Sequence, residues 1–141
     1  MQTKTFDLKK MTVAIGPVTL GDFAKGDVIK VIRDEDTFKK EVGATGEVGR
    51  SKTNNRAGKI TFSLLSTSPA NAGMSAVMLS DEVSNGGIVP ITIMDKGGAD
   101  VHVAPECWIV KPPDAIYSNE VKDRAWVFDC SDVDMFFGGN K

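Results

Sequence analysis

The sequence predicts a mainly β protein, an antiparallel barrel or sandwich with one flanking α-helix. About eight short segments show strand-like alternation or are rich in branched side chains. Only one segment, at about residues 69–83, has the length and period of a helix. Strands and helices do not alternate along the chain, so a parallel sheet with crossover helices is not expected. The 141 residues are long enough for one domain with a core of its own, and we expect residues 1–141 to form it.

The N-terminal third contains the first predicted strands. Met11–Ile15 alternates apolar and small residues, and a turn is predicted at Gly26-Asp27. Val28–Arg33 and Thr37–Val42 are two strand-like segments on either side of the acidic turn Asp34–Asp36. This arrangement predicts that the two segments pair as an antiparallel hairpin.

A long polar segment follows from Gly43 to Lys59. It is rich in glycine, asparagine and charged residues, and Val48 is its only branched aliphatic residue. This composition predicts either an exposed loop or an extended, weakly packed hairpin arm at about residues 43–59. Its glycine spacing does not match a phosphate-binding loop.

A strand that leads directly into a helix forms the centre of the chain. Ile60–Leu65 alternates strictly, which is typical of a half-buried strand. Ser68 can then cap a helix, and Pro69 suits its first position because proline lacks the N–H that would go unpaired there. The helix has two apolar stripes where a surface helix needs one. One stripe contains Ala72, Ala76, Leu79 and Val83, and the other contains Met74, Val77 and Met78.

Two explanations of the double stripe follow from the sequence. The helix could be buried within a single larger domain, or it could pack one face on its own sheet and the other on a neighbouring subunit.

The C-terminal half predicts further strands. They lie at Ile88–Met94, at Val101–Ala104, at Cys107–Val110 after a break at Pro105, and at Ala125–Cys130. Val133 and the apolar residues Met135 to Phe137 follow close to the terminus. An apolar cluster of this kind is expected to dock on its own subunit or on another.

No catalytic or metal-binding pattern is present in the sequence. His102 occupies the polar phase of its strand and is expected at the surface. Cys107 and Cys130 do not combine with it in a known zinc spacing, and we interpret them as reduced core thiols, with a disulfide left open. Neither a nucleophile elbow nor a dinucleotide fingerprint occurs. The sequence therefore predicts a protein that is not an enzyme and that uses no cofactor.

Charge is distributed unevenly along the chain. Residues 1–59 contain 12 basic and 8 acidic residues, whereas residues 60–141 contain 5 and 11. Such a split is compatible with complementary surfaces in head-to-tail association, and it can equally be accidental. The excess of basic residues is too small to predict nucleic-acid binding. No apolar run approaches the roughly 20 residues of a membrane-spanning helix, so no membrane partner is expected.

The order of these segments resembles the tail tube proteins of contractile-tailed bacteriophages. The resemblance covers most of the chain, and its motifs are structural rather than catalytic. It rests on the acidic turn Asp34–Asp36, the segment Val42–Val48 with Arg50-Ser51, the strand Ile60–Leu65, the helix entry Ser66–Asn71, the segment Trp108–Asp114 and the segment Arg124–Trp126.

The resemblance implies a fold and a structural role in the virion. Proteins of this family are β-barrels with one flanking helix, and their sheets join into a continuous barrel in hexameric rings. The rings stack into a tube that is assembled in the bacterial host cytoplasm and enclosed by a contractile sheath. Baseplate and tail terminator proteins are further partners, and genomic DNA passes through the lumen without specific binding.

The resemblance also implies roles for particular residues. The inter-subunit face of the helix would be Met74, Val77 and Met78, with Ala72, Ala76 and Leu79 on the subunit's own barrel. The inter-ring loop would use Glu47, Arg50, Asn54 and Arg56. The candidate lumen face would be Lys30, Thr37, Lys39 and Glu41. The terminal contacts would be Met135, Phe136 and Phe137.

Two other functions compete with this one. The first is a secreted ring or tube protein of an injection system similar to type VI secretion, whose tube protein is similar in fold. The second is a small β-barrel module that binds oligonucleotides or sugars, which would need an aromatic platform that the strands do not offer.

Overall fold

The computed structural model describes residues 3–20, 23 and 28–139. A short 3₁₀ turn at Leu8–Lys10 comes first. The other elements are β1 (Met11–Ile15), β2 (Val18–Thr19), β3 (Ile29–Arg33), β4 (Phe38–Val42), β5 (Val48–Lys52), β6 (Gly58–Leu65), α1 (Ala70–Ser84), β7 (Val89–Asp95), β8 (Val101–Lys111), β9 (Asp123–Cys130) and β10 (Asp134–Phe136). The turn predicted at Gly26-Asp27 lies outside the described residues.

Eight strands form one antiparallel sheet, which we call the main sheet. Its order is β2-β1-β7-β8-β9-β6-β3, with β10 added alongside β8. The predicted fold class, mainly antiparallel β with one helix, is confirmed. No helix among the described residues is both long and apolar enough to cross a membrane.

The longest strand, β8, changes partners along its length. Its first half pairs with β7 and β10, and its second half pairs with β9. The sequence predicted a break at Pro105, but β8 runs through it. Ala104 and Cys107 lie opposite Ile91 and Val89, so two residues of β8 face the single residue Pro90. This β-bulge accommodates both prolines, which cannot donate ladder hydrogen bonds.

The core lies on one face of the central strands. In β6 the residues alternate between buried and less buried positions, which confirms the predicted phase of Ile60, Phe62 and Leu64. The rings of Phe62 and Phe128 meet edge to face, with their centroids 6.0 Å apart. Each such aromatic side chain buries a large apolar area, so this layer supplies much of the hydrophobic stabilisation.

The predicted hairpin of Val28–Arg33 with Thr37–Val42 is wrong. Strand β3 pairs with β6, and β4 pairs with β5 to form a separate two-stranded sheet, the β4–β5 hairpin. Pairing with β6 allows Ile29 and Val31 to pack against the core, and burial of an apolar face fixes the register of a strand. Strand β4 has no buried residue, so no comparable burial of apolar side chains holds it beside β3.

Candidate assembly interface

Helix α1 begins one residue later than predicted and is held on the main sheet by polar contacts. Ser68 Oγ accepts a hydrogen bond from the Ala70 amide at 3.3 Å. Asn71 donates to the carbonyl oxygens of Leu65 and Ser68, and its Oδ1 accepts from Trp126 Nε1 at 2.9 Å. Every polar atom of the buried Asn71 amide group is thus used, which fixes the rotation of the helix on the sheet.

The predicted assignment of the two helix faces is wrong. Met74 is 0% exposed in the subunit's own core, and Val77 and Met78 pack against that core. A Cβ atom at Gly73 would come within 2.9 Å of Val18, so the helix approaches β2 closely. Long methionine side chains bury far more apolar area at this contact than the methyl groups of alanine do. The methionine face is therefore the inward one.

The opposite face of α1 is open to solvent. Leu79 is 54% exposed and Val83 is 86% exposed, and Ala72 and Ala76 lie exposed on the same stripe. The helix contains no lysine or arginine, while Glu82 lies exposed beside the stripe. We call this stripe the outer helix face. It is apolar with an acidic margin.

The β4–β5 hairpin is exposed on both of its sides. Every residue of β4 and β5 is solvent-exposed, including Val42 at 64% and Val48 at 67%. Cross-strand pairing puts the apolar side chains, and every basic side chain except that of Lys39, on one side of the hairpin. We call this side the basic hairpin face: Phe38, Lys40, Val42, Val48, Arg50 and Lys52. The Arg50 guanidinium lies 4.2 Å from the Phe38 ring centroid, a cation–π contact.

The sequence predicted this arm only in part. The predicted segment at about 43–59 contains the turn and β5, but the other strand of the hairpin, β4, lies before it. The two glycines Gly43 and Gly46 were the signal for this turn in the sequence. In the structure the Gly43 amide donates to the Glu47 carbonyl oxygen, and the Gly46 amide donates to the Gly43 carbonyl oxygen. Two strand-like segments around such a turn indicate a hairpin.

The four residues predicted for an inter-ring loop have different surroundings. Arg50 lies on the basic hairpin face. Glu47 accepts a hydrogen bond from Thr45 within the turn. Asn54 has a positive φ of 57° after β5. Arg56 is ion-paired within the subunit to Asp132, at 3.0 Å, and to Asp134.

Arg56 therefore anchors the base of the hairpin to the C-terminal segment. Arg33 adds to this anchor, since its Nε and Nη2 donate to the Val133 carbonyl oxygen at 3.1 and 2.8 Å. An open cleft of about 840 Å³ lies between the hairpin base and β10, with Arg33, Asn54, Arg56 and Phe136 among its lining residues.

The four residues predicted for a lumen face do not form one surface. Lys30 lies on β3 in the main sheet, opposite Thr61 of β6. Thr37 precedes β4, and Lys39 and Glu41 lie on β4, opposite Ser51 and Gly49. All four are exposed, but the grouping of Lys30 with the others is wrong because β3 and β4 do not pair.

The C-terminal apolar residues are divided between core and surface. Met135 packs against the core, while Phe136 and Phe137 are exposed. Met135 thus docks on its own subunit, one of the two outcomes expected for this cluster, and the two phenylalanines remain accessible.

His102 is buried, although the sequence predicted a surface position. Strand β10 pairs along β8 beside it, and the Phe137 ring centroid lies 5.0 Å from its own. Its Nδ1 has no hydrogen-bond partner among the described residues. Burial lowers the pKa of His102, with a smaller opposing effect from the charge of Asp100.

Comparisons with known proteins agree with this architecture. The family model described as "Bacteriophage PhiTE tail tube protein" matches residues 16–138. "Structural protein ORF10" of Pseudomonas phage KPP10 is 27% identical over 148 aligned residues, covering 99% of this chain and 86% of that protein.

Two solved structures share the fold at low sequence identity. The tube terminating cap of the anti-feeding prophage has a TM-score of 0.67 and 13% identity, covering 96% of this chain and 93% of that one. A tube–sheath complex of the PVC extracellular contractile injection system has a TM-score of 0.65 and 11% identity, covering 94% and 91%. Because the family model spans most of the sequence, the chain belongs to the Bacteriophage PhiTE tail tube protein family and is a structural, non-enzymatic component of the virion's tail tube.

Proposed function

We propose that this tail tube protein assembles into hexameric rings that stack into the inner tube of a contractile tail. The β4–β5 hairpin is the observation that supports this most strongly. An isolated two-stranded hairpin is marginally stable in water, and this one has no buried side chain in its own subunit. It therefore needs a surface on another molecule, and a neighbouring ring provides one.

Ring formation uses the edges of the main sheet. Among the described strands, β3 is paired on one side only, with β6, and β2 ends the opposite edge. Ile32 on β3 is exposed. Unpaired edges readily accept a strand from another chain, so edge-to-edge joining of neighbouring subunits would close the sheets into one continuous barrel around a channel.

The outer helix face is the second proposed contact. Leu79 and Val83 would be covered by an adjacent tube subunit. The contact between subunits would then lie on the side of α1 opposite to the methionines. The acidic margin of the outer helix face complements the basic hairpin face in charge, and both faces contain exposed aliphatic residues. A head-to-tail interface of this kind need not close on itself, so rings can be added to a growing tube.

The channel would allow genomic DNA to pass without holding it. Lys30 is our remaining candidate for the channel wall, since it is exposed on the main sheet. Thr37, Lys39 and Glu41 would belong to the hairpin and hence to ring stacking. A lumen with few basic residues forms few phosphate contacts, so DNA could slide.

Other tail proteins complete the proposed assembly. A contractile sheath would surround the tube; the similar fold in the PVC sheath–tube complex supports a sheath as partner. Baseplate and terminator proteins would bind the two ends, and assembly would take place in the host cytoplasm.

Electron microscopy of the purified protein at increasing concentration tests the proposal. We expect rings with six-fold symmetry and stacks of rings with a central channel. A chain that stays monomeric under all conditions, and that is absent from purified phage particles, would contradict the proposed assembly.

The runner-up is a tube protein of a type VI-like injection system, and the fold shared with the PVC contractile injection system is the observation that favours it. Neighbouring genes for a capsid would favour the phage tail, and neighbouring genes for a secretion ATPase would favour the injection system.

A further inference from the structure

The two cysteines of the chain face each other across the β8–β9 ladder. Cys107 and Cys130 are directly opposite in register. The next pair is Glu106 with Ser131, in which the Ser131 amide donates to the Glu106 carbonyl oxygen at 3.1 Å. Hydrogen-bonded and non-hydrogen-bonded pairs alternate in an antiparallel ladder, so Cys107 and Cys130 form a non-hydrogen-bonded pair.

That position has the geometry that a disulfide needs. Cα atoms of a non-hydrogen-bonded pair are about 4.5 Å apart, which lies within the range of about 4.4–6.8 Å found in disulfides. The two Sγ atoms are 2.9 Å apart, and both cysteines are free thiols buried in the core. Closing a bond of about 2.05 Å would therefore require only a small shift of the side chains.

We propose that Cys107 and Cys130 are a redox-modification site, at which a small disulfide oxidant such as oxidised glutathione converts the dithiol into a cross-strand disulfide within one subunit. The disulfide covalently joins the second half of β8 to the end of β9. The segment between these strands, residues 112–122, is without regular structure and mostly exposed. The bond thus closes a loop that contains this exposed segment.

The exchange is balanced in atoms and electrons. The Cys130 thiolate attacks one sulfur of the oxidant, and the first glutathione leaves as a thiol. Cys107 then loses its proton and attacks the protein sulfur of the mixed disulfide, which releases the second glutathione. Two protein thiols are oxidised by two electrons, and one disulfide is reduced to two thiols.

Two features favour Cys130 as the first nucleophile. It is the last residue of β9, and strand ends open most readily, so a buried thiol there can become accessible. The hydrogen bond from the Cys107 thiol also lowers the pKa of Cys130, because it stabilises the thiolate, while burial acts in the opposite direction.

The site has a consequence in the proposed tail tube, although its geometry does not depend on that function. Thiols stay reduced in a host cytoplasm and are oxidised outside the cell. The subunit would therefore assemble with both thiols free and become cross-linked internally after release.

The test uses the full chain, reduced and then incubated with oxidised glutathione, both as the native protein and during refolding from denaturant. Intact mass should decrease by two hydrogen atoms, both thiols should resist alkylation in denaturant, and a peptide linking Cys107 to Cys130 should appear. Tm should rise by roughly 5–10 °C. Cys107→Ser should instead keep one glutathione on Cys130 or stay unmodified, with no such rise.

A negative result for the disulfide would leave the tube proposal untouched, because none of these measurements depends on assembly. The proposal would be overturned if no link between Cys107 and Cys130 formed either in the native protein or during refolding. It would also be overturned if the linked protein had a lower Tm than the reduced protein.

Discussion

Strands β6 and β4 are both antiparallel strands, yet their surroundings are opposite. Strand β6 has a paired strand on each side and buries every second residue, including Phe62. Strand β4 has one partner, β5, and buries none of its residues. The main sheet is therefore stabilised within the subunit, whereas the hairpin lacks a core of its own.

This difference separates two kinds of apolar residue. Phe62, Phe128 and Met74 stabilise the isolated subunit because folding alone removes them from water. Val42, Val48 and Leu79 remain largely exposed, so folding of the subunit gains little from them. We infer that the second group acts in association, and matched substitutions can test the separation.

The largest expected effect contrasts two phenylalanines. Phe62→Ala should lower the free energy of unfolding by about 3–5 kcal/mol, because it leaves a cavity beside Phe128. Phe38→Ala should lower it by less than about 1 kcal/mol, since it removes only an exposed cation–π contact with Arg50. Urea denaturation of the dilute, unassembled subunit measures both. Similar losses for the two variants would contradict the comparison.

The two faces of α1 provide the next contrast. Met74→Ala should lower the free energy of unfolding by about 2–5 kcal/mol. Leu79→Ala should change it by no more than about 0.5 kcal/mol, as surface substitutions usually do. A larger loss for Leu79→Ala than for Met74→Ala would mean that the helix is rotated from the position described.

Charge on the outer helix face tests association separately from folding. Leu79→Lys should leave the subunit folded and prevent tube formation, because assembly would bury a positive charge against the basic hairpin face. Ser80→Lys is the matched control, at an exposed position of the same helix outside that apolar stripe. If Leu79→Lys forms normal tubes in the absence of sheath protein, this face does not contact another tube subunit.

Arg56 should have a smaller effect on folding. Its ion pairs with Asp132 and Asp134 are partly exposed, so Arg56→Ala should cost about 0–1 kcal/mol, and the cost should shrink as salt is raised. Urea denaturation at low and high salt measures this. A cost that does not depend on salt would argue against an electrostatic origin.

The smallest expected effect concerns His102 and pH. Burial lowers its pKa below the ordinary value of 6.5, so the unfolded chain binds a proton there more readily than the folded chain. The stability that neutral His102 contributes is therefore full above pH 6.5 and is lost as the pH falls through the lowered folded-state pKa. His102→Phe should flatten the dependence of Tm on pH below 6.5. An unchanged slope would assign that dependence to other groups.

The sequence predicted the main sheet better than the surfaces around it. Alternation identified the buried phase of β6 correctly, because that strand is half-buried and the period of two is unambiguous. The pairing of β3 was mispredicted because local pattern shows only that strands exist, whereas pairing depends on which partner lets Ile29 and Val31 reach the core.

The helix and His102 show a similar limit. Both stripes of α1 are apolar, and the deciding contacts, Gly73 with β2 and Asn71 with Trp126, join residues far apart in sequence. His102 is buried because β10 and Phe137 pack beside it, which no local alternation could reveal. The family resemblance, in contrast, rested on the order of segments and is confirmed.

The most direct test of the central claim, that the β4–β5 hairpin joins stacked rings, is electron microscopy of Val42→Asp and Val48→Asp. The matched control is Val121→Asp, which places the same charge at an exposed valine outside the hairpin. We expect both hairpin variants to fold, to form rings and to fail to stack, while the control forms tubes of normal length. Normal tubes from the hairpin variants would contradict the account.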